Sequence, residues 1–246
     1  MSWCDNLGST PSIGFQLDWH SLPSDILLGA LSPIVDRMVL GDEQRFSIDL
    51  KDPLRLTFTS FDGFQYGLEP SRIYVSFIHR ASIRTGIGGI PALVPSSKIA
   101  TYTHLLSEVE TCLFDAMTII NKLKTRRLTG IGVVSTTLTD ESELPPGIRR
   151  FLSYASNPWS GSLEALTFQA QSVLEKKEHY YHQCNHTIIK SRKEDDPIQV
   201  IFDYQRIYEK HQDIDSNRLR TATDELKRIA LDYFEQLAQG DRFDVE

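Results

Sequence analysis

Apolar and polar residues alternate most regularly between Ser162 and Tyr208. Three segments there show the two-residue period of a β-strand, separated by a charged turn at residues 175–178 and a polar turn at residues 192–197. The segments begin near Leu166, Tyr180 and Ile198. This pattern predicts a meander of three antiparallel strands.

A helical period follows between Ser216 and Leu237, where apolar residues recur every three or four positions. These residues are Leu219, Ala222, Leu226, Ile229, Ala230, Tyr233, Phe234 and Leu237. Asp215 or Ser216 is available to cap the first amides, and Gly240 supplies a stop. We expect an amphipathic helix whose apolar stripe lies on the preceding sheet.

The first half of the chain contains elements of the same kinds. Residues 12–19 alternate as a strand, and residues 24–38 have the spacing of a helix that is capped by Ser24. Further strand segments run through Phe46, Leu56, Phe64 and Ile73. Asp62-Gly63 is a hairpin signal between two of them. A curled antiparallel sheet is therefore predicted here.

Residues 84–97 are rich in Gly, Pro and Ser and predict one long irregular loop. An amphipathic helix is expected to follow from Thr103 to Leu123. A strand at residues 128–138 and a short helix at residues 144–154 then lead to the meander.

The order of strand, helix, several strands and helix therefore occurs twice. We predict an α+β fold with two pseudo-repeated halves, residues 1–125 and residues 126–246. Each half would be an antiparallel curved sheet covered by a long C-terminal helix, and the two would form one compact unit. The inference rests on element order, since the halves share no residue-level identity.

Composition excludes several classes of protein. The 246 residues are 40% hydrophobic and 24% charged, as in soluble globular domains. No apolar run approaches the ~20 residues of a membrane span, and the first residues do not resemble a signal peptide. Three cysteines in unrelated contexts favour a reducing cytoplasm. A net charge of −7 argues against a dominant nucleic-acid surface.

His182, Cys184 and His186 lie at two-residue spacing and would share one face of a strand. A His-x-His pair of this kind can hold a metal, with His179 or Asp203 as a further ligand. The alternative is a polar, partly buried sheet face. That alternative is favoured because structural zinc sites normally show paired Cys and His knuckles.

Two other groups of residues are candidates for binding. Gly86, Gly88 and Gly89 precede Ser96, Ser97 and Lys98, so their amides could hold a phosphate. The Walker spacing is missing, which favours a flexible or partner-binding loop. Lys122, Lys124, Arg126 and Arg127, with Arg149 and Arg150, could contact RNA or an acidic partner. Cations at the end of a helix also complement its dipole, which is the simpler interpretation.

Several stretches are similar to a sporadically distributed bacterial family of uncharacterised function. They are Leu56–Gly63 (LTFTSFDG), Ile73–Phe77 (IYVSF), Leu128–Val134 (LTGIGVV) and the terminal helix through Phe234. The doubled element order also resembles the saddle of the TATA-binding protein and its helix-grip relatives. The bacterial resemblance implies no catalytic residues. The acidic charge and the lack of paired Phe wedges argue against DNA bending.

We therefore expect a non-catalytic interaction or scaffold subunit of a bacterial complex, located in the cytoplasm and without a cofactor. Its partner would be another protein, contacted through exposed sheet, the segment 84–97, or residues 156–162 around Trp159. A role in antiviral defence is a guess from the resemblance alone. The alternatives are a small-ligand or nucleotide-binding protein with a pocket between sheet and helix, a nucleic-acid-binding module, and a metal-dependent enzyme using His182 and His186.

Overall fold

The computed structural model describes these residues of the chain: 9–18, 46–52, 55–60, 62–69, 71–79, 81–85, 91–95, 100–119, 127–156, 165–191, 197–213 and 215–239. The fold is α+β, and its strands pair antiparallel. The chain forms two compact units. The N-terminal unit lies within Thr10–Ile131 and Lys210–Ile214, and the C-terminal unit takes Ser9, Gly132–Glu209 and Asp215–Glu246.

In the N-terminal unit, five of the described strands lie side by side in the order β2-β3-β4-β5-β1. They are β1 (Ser9–Leu17), β2 (Phe46–Asp52), β3 (Arg55–Ser60), β4 (Phe64–Glu69) and β5 (Arg72–Phe77). The predicted apolar residues Ile13, Phe15, Ile73 and Val75 of β1 and β5 are buried, and Tyr74 between the last two is buried as well. At the predicted Asp62-Gly63 turn, Gly63 has φ of 100°, a conformation that favours glycine.

Tyr74 of β5 fills the space left by two glycines. It lies opposite Gly14 of β1 and Gly67 of β4 in the strand register. A Cβ at Gly67 would come within 2.0 Å of the ring carbon Cζ of Tyr74. The Arg72 guanidinium lies 4.7 Å from the centroid of that ring. At position 67, therefore, only glycine leaves room for the buried Tyr74 ring.

The prediction of one irregular loop at residues 84–97 is wrong. β6 (Ala81–Thr85) and β7 (Pro91–Pro95) pair antiparallel, with Ile83 opposite Leu93. The strands are only five residues long, and β7 begins and ends with proline. Proline is tolerated at strand ends because no ladder hydrogen bond is needed there. Those prolines and the glycines between the strands obscured the strand period.

Helix α1 (Tyr102–Ile119) packs against the N-terminal sheet. Its buried residues form the expected stripe of Leu105, Leu106, Val109, Leu113 and Ala116. The ring of Phe114 lies 5.8 Å from that of Phe15 in β1, an edge-to-face contact. The predicted helix at residues 24–38 and the end of α1 beyond Ile119 lie outside the described residues.

In the C-terminal unit the predicted meander and closing helix are confirmed. Its elements are β8 (Arg127–Thr139), α2 (Pro146–Ser156), β9 (Ala165–Lys176), β10 (Tyr180–Ser191), β11 (Ile198–Asp213) and α3 (Ser216–Gln239). The strand order is β8-β11-β10-β9, and a short 3₁₀ turn (Glu141–Glu143) precedes α2. No helix in the described part of the chain is both long and apolar enough to cross a membrane.

Helix α3 covers one face of this meander. Its N-cap is Asp215, whose Oδ1 accepts hydrogen bonds from the backbone N–H groups of Asn217 (2.9 Å) and Arg218 (3.1 Å). Further along, the Phe234 ring packs 5.5 Å from that of Phe202 in β11. The helix thereby buries the apolar stripe that the sequence predicted.

Candidate functional site

The two faces of the β9–β11 meander have different environments. On β10, the side chains of His182, Cys184, His186 and Ile188 are buried on the face that contacts α3. Gln183, Asn185 and Thr187 point to the other face and are part-exposed. The alternation of the strand thus places both histidines in the core, buried more deeply than a partly buried sheet face would be.

Beneath α3, His182 pairs with Arg206 of β11, and the register places the two residues opposite each other. The Nε–H of Arg206 donates to Nε2 of His182 over 3.1 Å. Both residues are almost fully buried, at 1% and 3% exposure. An arginine is always charged, so this pair holds a cation inside the fold.

Two glutamates flank this buried pair. Glu225 of α3 places Oε2 2.9 Å from Nη2 of Arg206, as an ion pair whose geometry falls short of a hydrogen bond. Glu175 of β9 places Oε2 3.6 Å from Nδ1 of His182, beyond hydrogen-bonding distance. Both carboxylates are about half exposed. We call these four residues the His182–Arg206 cluster.

The electrostatics of the cluster keep His182 neutral. Burial is the main cause that lowers the pKa of His182, and the positive charge of Arg206 lowers it further. Glu175 and Glu225 oppose this effect without reversing it. The Tyr180 ring, 4.5 Å from the Arg206 guanidinium, supplies a cation–π contact to the buried charge.

His186 lies among aromatic rings in the same layer. Its ring centroid is 5.9 Å from those of Phe202 and Tyr233, and the Tyr233 hydroxyl lies 3.5 Å from Nε2. Burial lowers the pKa of His186 to about 4 and raises that of Tyr204 to about 12. Aromatic rings therefore occupy the layer between sheet and helix around His186.

A metal ligand set does not form around these histidines in the described residues, where no three His, Cys, Asp or Glu side chains come close enough to hold an ion. His179 stands on an exposed turn, with Nε2 3.7 Å from Glu178. Asp203 accepts a hydrogen bond from Asn185 on the opposite face of the sheet. The two proposed additional ligands are thus directed away from His182 and His186.

The other predicted binding residues divide into two groups. Gly86, Gly88, Gly89, Arg126 and Trp159 lie outside the described residues. Arg127 begins β8 with an exposed side chain, and its Nε is 3.7 Å from Oδ1 of Asp213. Its backbone N–H donates to Asp18 over 2.7 Å and is the main cause that lowers the pKa of that carboxyl. In the described structure, Arg127 therefore ties β8 to its neighbours.

Arg149 and Arg150, which the sequence analysis grouped with the basic residues at the end of α1, lie on α2. Nη2 of Arg149 donates to the backbone oxygens of Ser142 (2.7 Å) and Leu144 (3.1 Å), which fixes the turn before the helix. Arg149 and Arg150 also line an open hollow of about 640 Å³ with Pro146, Ser153 and Tyr154. The described lining residues all belong to α2.

Strand β9 is the feature that sequence reasoning did not identify as special. It is the last strand in the order of the C-terminal sheet, and none of the described strands lies on its far side. Its first ten residues, Ala165–Leu174, include no charged residue and no proline. We call them the uncharged stretch. Such an edge presents unpaired backbone N–H and C=O groups that can bind another strand.

Both faces of β9 are accessible to some extent. Alternate residues are exposed, and Val173 reaches 64% exposure. The intervening residues are part-buried on the helix side, where Phe168 contacts Phe151 of α2 with ring centroids 4.3 Å apart. A shift in register with β10 between His182 and Gln183 leaves Leu174 without a partner at the charged end of the strand.

The face of the meander opposite α3 carries linked polar side chains beside β9. Asp203 Oδ2 accepts from Nδ2 of Asn185 (3.1 Å) and from Nε2 of Gln205 (2.6 Å). Nε2 of Gln183 lies 3.4 Å from Oδ1 of Asn185. Asn185 is opposite Gln171 in the register, so the row of amides reaches the edge strand. On this face the linked amides offer hydrogen bonds beside the exposed apolar side chains of Val173 and Ile189.

No protein-family model matches the chain, and no curated protein matches it either. Sequence relationship therefore assigns no reaction, cofactor or partner to the residues described above.

Proposed function

We propose that this protein is a non-catalytic interaction subunit that binds a protein partner by adding a strand to the edge of β9. The observation that carries the proposal is the uncharged stretch Ala165–Leu174 on the terminal strand of the C-terminal sheet. Natural proteins usually protect long edges with lysine, proline or a covering element. Among the described residues no strand lies beyond this edge, and a free edge of this length is the form that strand addition requires.

The chemistry of β9 defines the kind of partner strand. Main-chain hydrogen bonds would supply affinity, and alternate side chains would supply selectivity. Thr167, Gln169, Gln171 and Val173 form the exposed side. A partner strand with neutral polar and small aliphatic residues would match them, and a partner with buried charge would not.

The state of the His182–Arg206 cluster supports a non-catalytic role. Nε2 of His182 accepts a hydrogen bond from Arg206, so that nitrogen is not available as a general base. Arg206 is in turn engaged by Glu225 and by the Tyr180 ring. These contacts favour a structural interpretation, in which the cluster fixes α3 on the meander.

The experiment is stoichiometric co-purification from cells that naturally produce the protein. The wild type is compared with Gln169→Lys/Gln171→Lys, which places two charges on the exposed side of the edge. The control is Thr221→Lys/Gln236→Lys, which adds the same charge to exposed positions of α3. We expect a stoichiometric protein partner with the wild type and the control, and its loss from the β9 variant. Retention of the partner by the β9 variant would refute the proposal.

A cytoplasmic location belongs to the same proposal. Neither Cys112 nor Cys184 forms a disulfide bond with a described residue, and cysteines that are not cross-linked suit a reducing compartment. Fractionation of the producing cells tests this directly, and recovery from an oxidising compartment would contradict it.

We also propose that the two halves arose by duplication. In each unit the opening strand pairs beside the last strand of the following meander, β1 beside β5 and β8 beside β11. A long helix follows each set, α1 in one unit and α3 in the other. An alignment of homologues tests the idea, because sequence profiles of residues 1–125 and 126–246 would match each other only if the halves share an origin.

A further inference from the structure

We infer that the strand bound by β9 is β9 of a second copy of this chain, paired antiparallel about a two-fold axis at Ala170. The inference rests on the proposed function and names its partner. A two-fold interface must be self-complementary. A residue a given number of positions before the axis residue in one copy therefore pairs with the residue the same number of positions after it in the other copy. β9 meets that condition on both faces.

On the helix side of β9, the axis at Ala170 places uncharged residues opposite each other. Leu166 of one copy falls opposite Leu174 of the other, and Phe168 falls opposite Ser172. The two Ala170 side chains meet at the axis. These positions are part-buried within one chain, so the pairing would complete their removal from water.

On the exposed side, the same axis pairs an amide with an amide and one β-branched residue with another. Gln169 falls opposite Gln171, and Thr167 falls opposite Val173. Amide opposite amide can form hydrogen bonds between strands, and a β-branched pair packs well across them. No like charges face each other in this register.

The charged residues Glu175 and Lys176 at the end of β9 favour an axis at Ala170 over an axis at Gln171. An axis at Gln171 would place Leu166 opposite Lys176 and Thr167 opposite Glu175. An axis at Gln169 would leave Leu174 outside the paired segment that starts at Ala165. The axis at Ala170 pairs residues 166–174 of the uncharged stretch with one another, places Ala165 opposite Glu175 and leaves Lys176 beyond the paired segment. No other axis residue pairs Leu174 within β9 and also leaves Lys176 unpaired, so this register is the one that the sequence of β9 fits.

The register predicts a charge-pair experiment. Thr167→Lys/Val173→Lys places lysine opposite lysine twice across the two-fold axis. Thr167→Lys/Val173→Glu has the same first substitution and places lysine opposite glutamate twice. Both positions are exposed, so neither variant should change the fold, and equal melting temperatures verify this. Sedimentation equilibrium then measures association of the 28.0 kDa chain.

We expect the wild type and the Lys/Glu variant to form dimers, and the Lys/Lys variant to dissociate with a dimer Kd at least about tenfold higher than that of the Lys/Glu variant. Equal association of the two variants would overturn the inference, since the dimer would then use another surface or register. A wild type that stays monomeric at every concentration would overturn it as well.

The failure of this inference can be separated from failure of the proposed function. If the wild type is monomeric but loses a stoichiometric partner through Gln169→Lys/Gln171→Lys, then β9 binds a different protein and only the inference of a second copy fails. If the wild type neither self-associates nor yields a partner that depends on β9, both fail.

Discussion

The Nε–H of Arg206 donates to Nε2 of His182 over 3.1 Å, inside a core where both side chains are almost fully buried. Because arginine can only donate, Nε2 must hold a lone pair, and the proton of the neutral ring is on Nδ1. That nitrogen faces Glu175 at 3.6 Å. The buried guanidinium of Arg206 is balanced by the carboxylate of Glu225 on α3, 2.9 Å away. This contact connects helix and sheet.

Replacing Glu225 tests that balance. We expect Glu225→Gln to lower the free energy of unfolding by about 1–3 kcal/mol, because it removes the carboxylate that faces a buried guanidinium. Asp224→Asn is the matched control on the next residue. Asp224 is 67% exposed and pairs only with Lys227 of the same helix among the contacts described, so its loss should cost under about 0.5 kcal/mol. Urea unfolding followed by circular dichroism measures both, and equal effects would contradict the account.

His186 predicts how stability changes with pH. Its pKa in the folded protein is about 4, below the ordinary value of 6.5. The unfolded chain therefore binds the proton more readily between these values, and the free energy of unfolding rises with pH across that window. The stabilisation is complete above about pH 6.5 and is lost as pH falls toward 4. A single histidine with this shift contributes about 3 kcal/mol to the change.

His186→Phe should reduce that dependence, because phenylalanine keeps the packing with Phe202 and Tyr233 but does not bind a proton. We expect a smaller loss of stability between pH 6.5 and pH 4 than in the wild type, measured by unfolding at several pH values. His182, whose pKa burial also lowers, accounts for part of the slope that remains. His179→Gln, on the exposed turn, is the control. An unchanged slope in His186→Phe would show that the ring does not titrate as described.

The surroundings of Gly67 and Gly132 predict opposite results when each glycine is replaced by alanine. A Cβ at Gly67 would collide with the buried Tyr74 ring, whereas a Cβ at Gly132 would meet its nearest atoms, in Gln205 and Asp203, at 3.6 and 3.7 Å. We expect Gly67→Ala to destabilise the protein by about 1–3 kcal/mol and Gly132→Ala to be tolerated. Thermal unfolding of the two variants tests this. A neutral Gly67→Ala would mean that the Tyr74 ring can move aside without loss of packing.

Two substitutions of Asp215 test its role as the N-cap of α3. Asp215→Ala removes the acceptor of two backbone hydrogen bonds, so we expect a lower helix content and a lower melting temperature. Asp215→Asn keeps an oxygen in place and should retain most of the stability. If both variants unfold at the same temperature as the wild type, the capping interaction contributes nothing measurable.

The sequence predicted most of the secondary structure in the C-terminal unit, because its strands and α3 have long, regular apolar periods. The hairpin of β6 and β7 was missed because its short strands contain Pro91 and Pro95, which sequence patterns associate with loops. Local signals such as Asp62-Gly63 and Asp215 were identified correctly because each depends on residues close in the chain.

The candidate site was harder to predict, since it depends on contacts distant in sequence. The spacing of His182 and His186 showed that they share a face, but only the register reveals Arg206 opposite His182. Glu225 contacts Arg206 from α3, the helix that follows the meander. The exposure of β9 is likewise a property of strand order, which the alternation of a single strand does not contain.

Amide hydrogen exchange of β9 in dilute protein tests the central claim most directly. An edge strand bonds to a neighbour on one side only, so we predict that about half of the β9 amides exchange rapidly while those of β10 remain protected. The same β9 amides should become protected as the protein concentration rises or a partner binds. Protection of all β9 amides equal to that of β10 in the dilute monomer would contradict the account, because the edge would then already be covered.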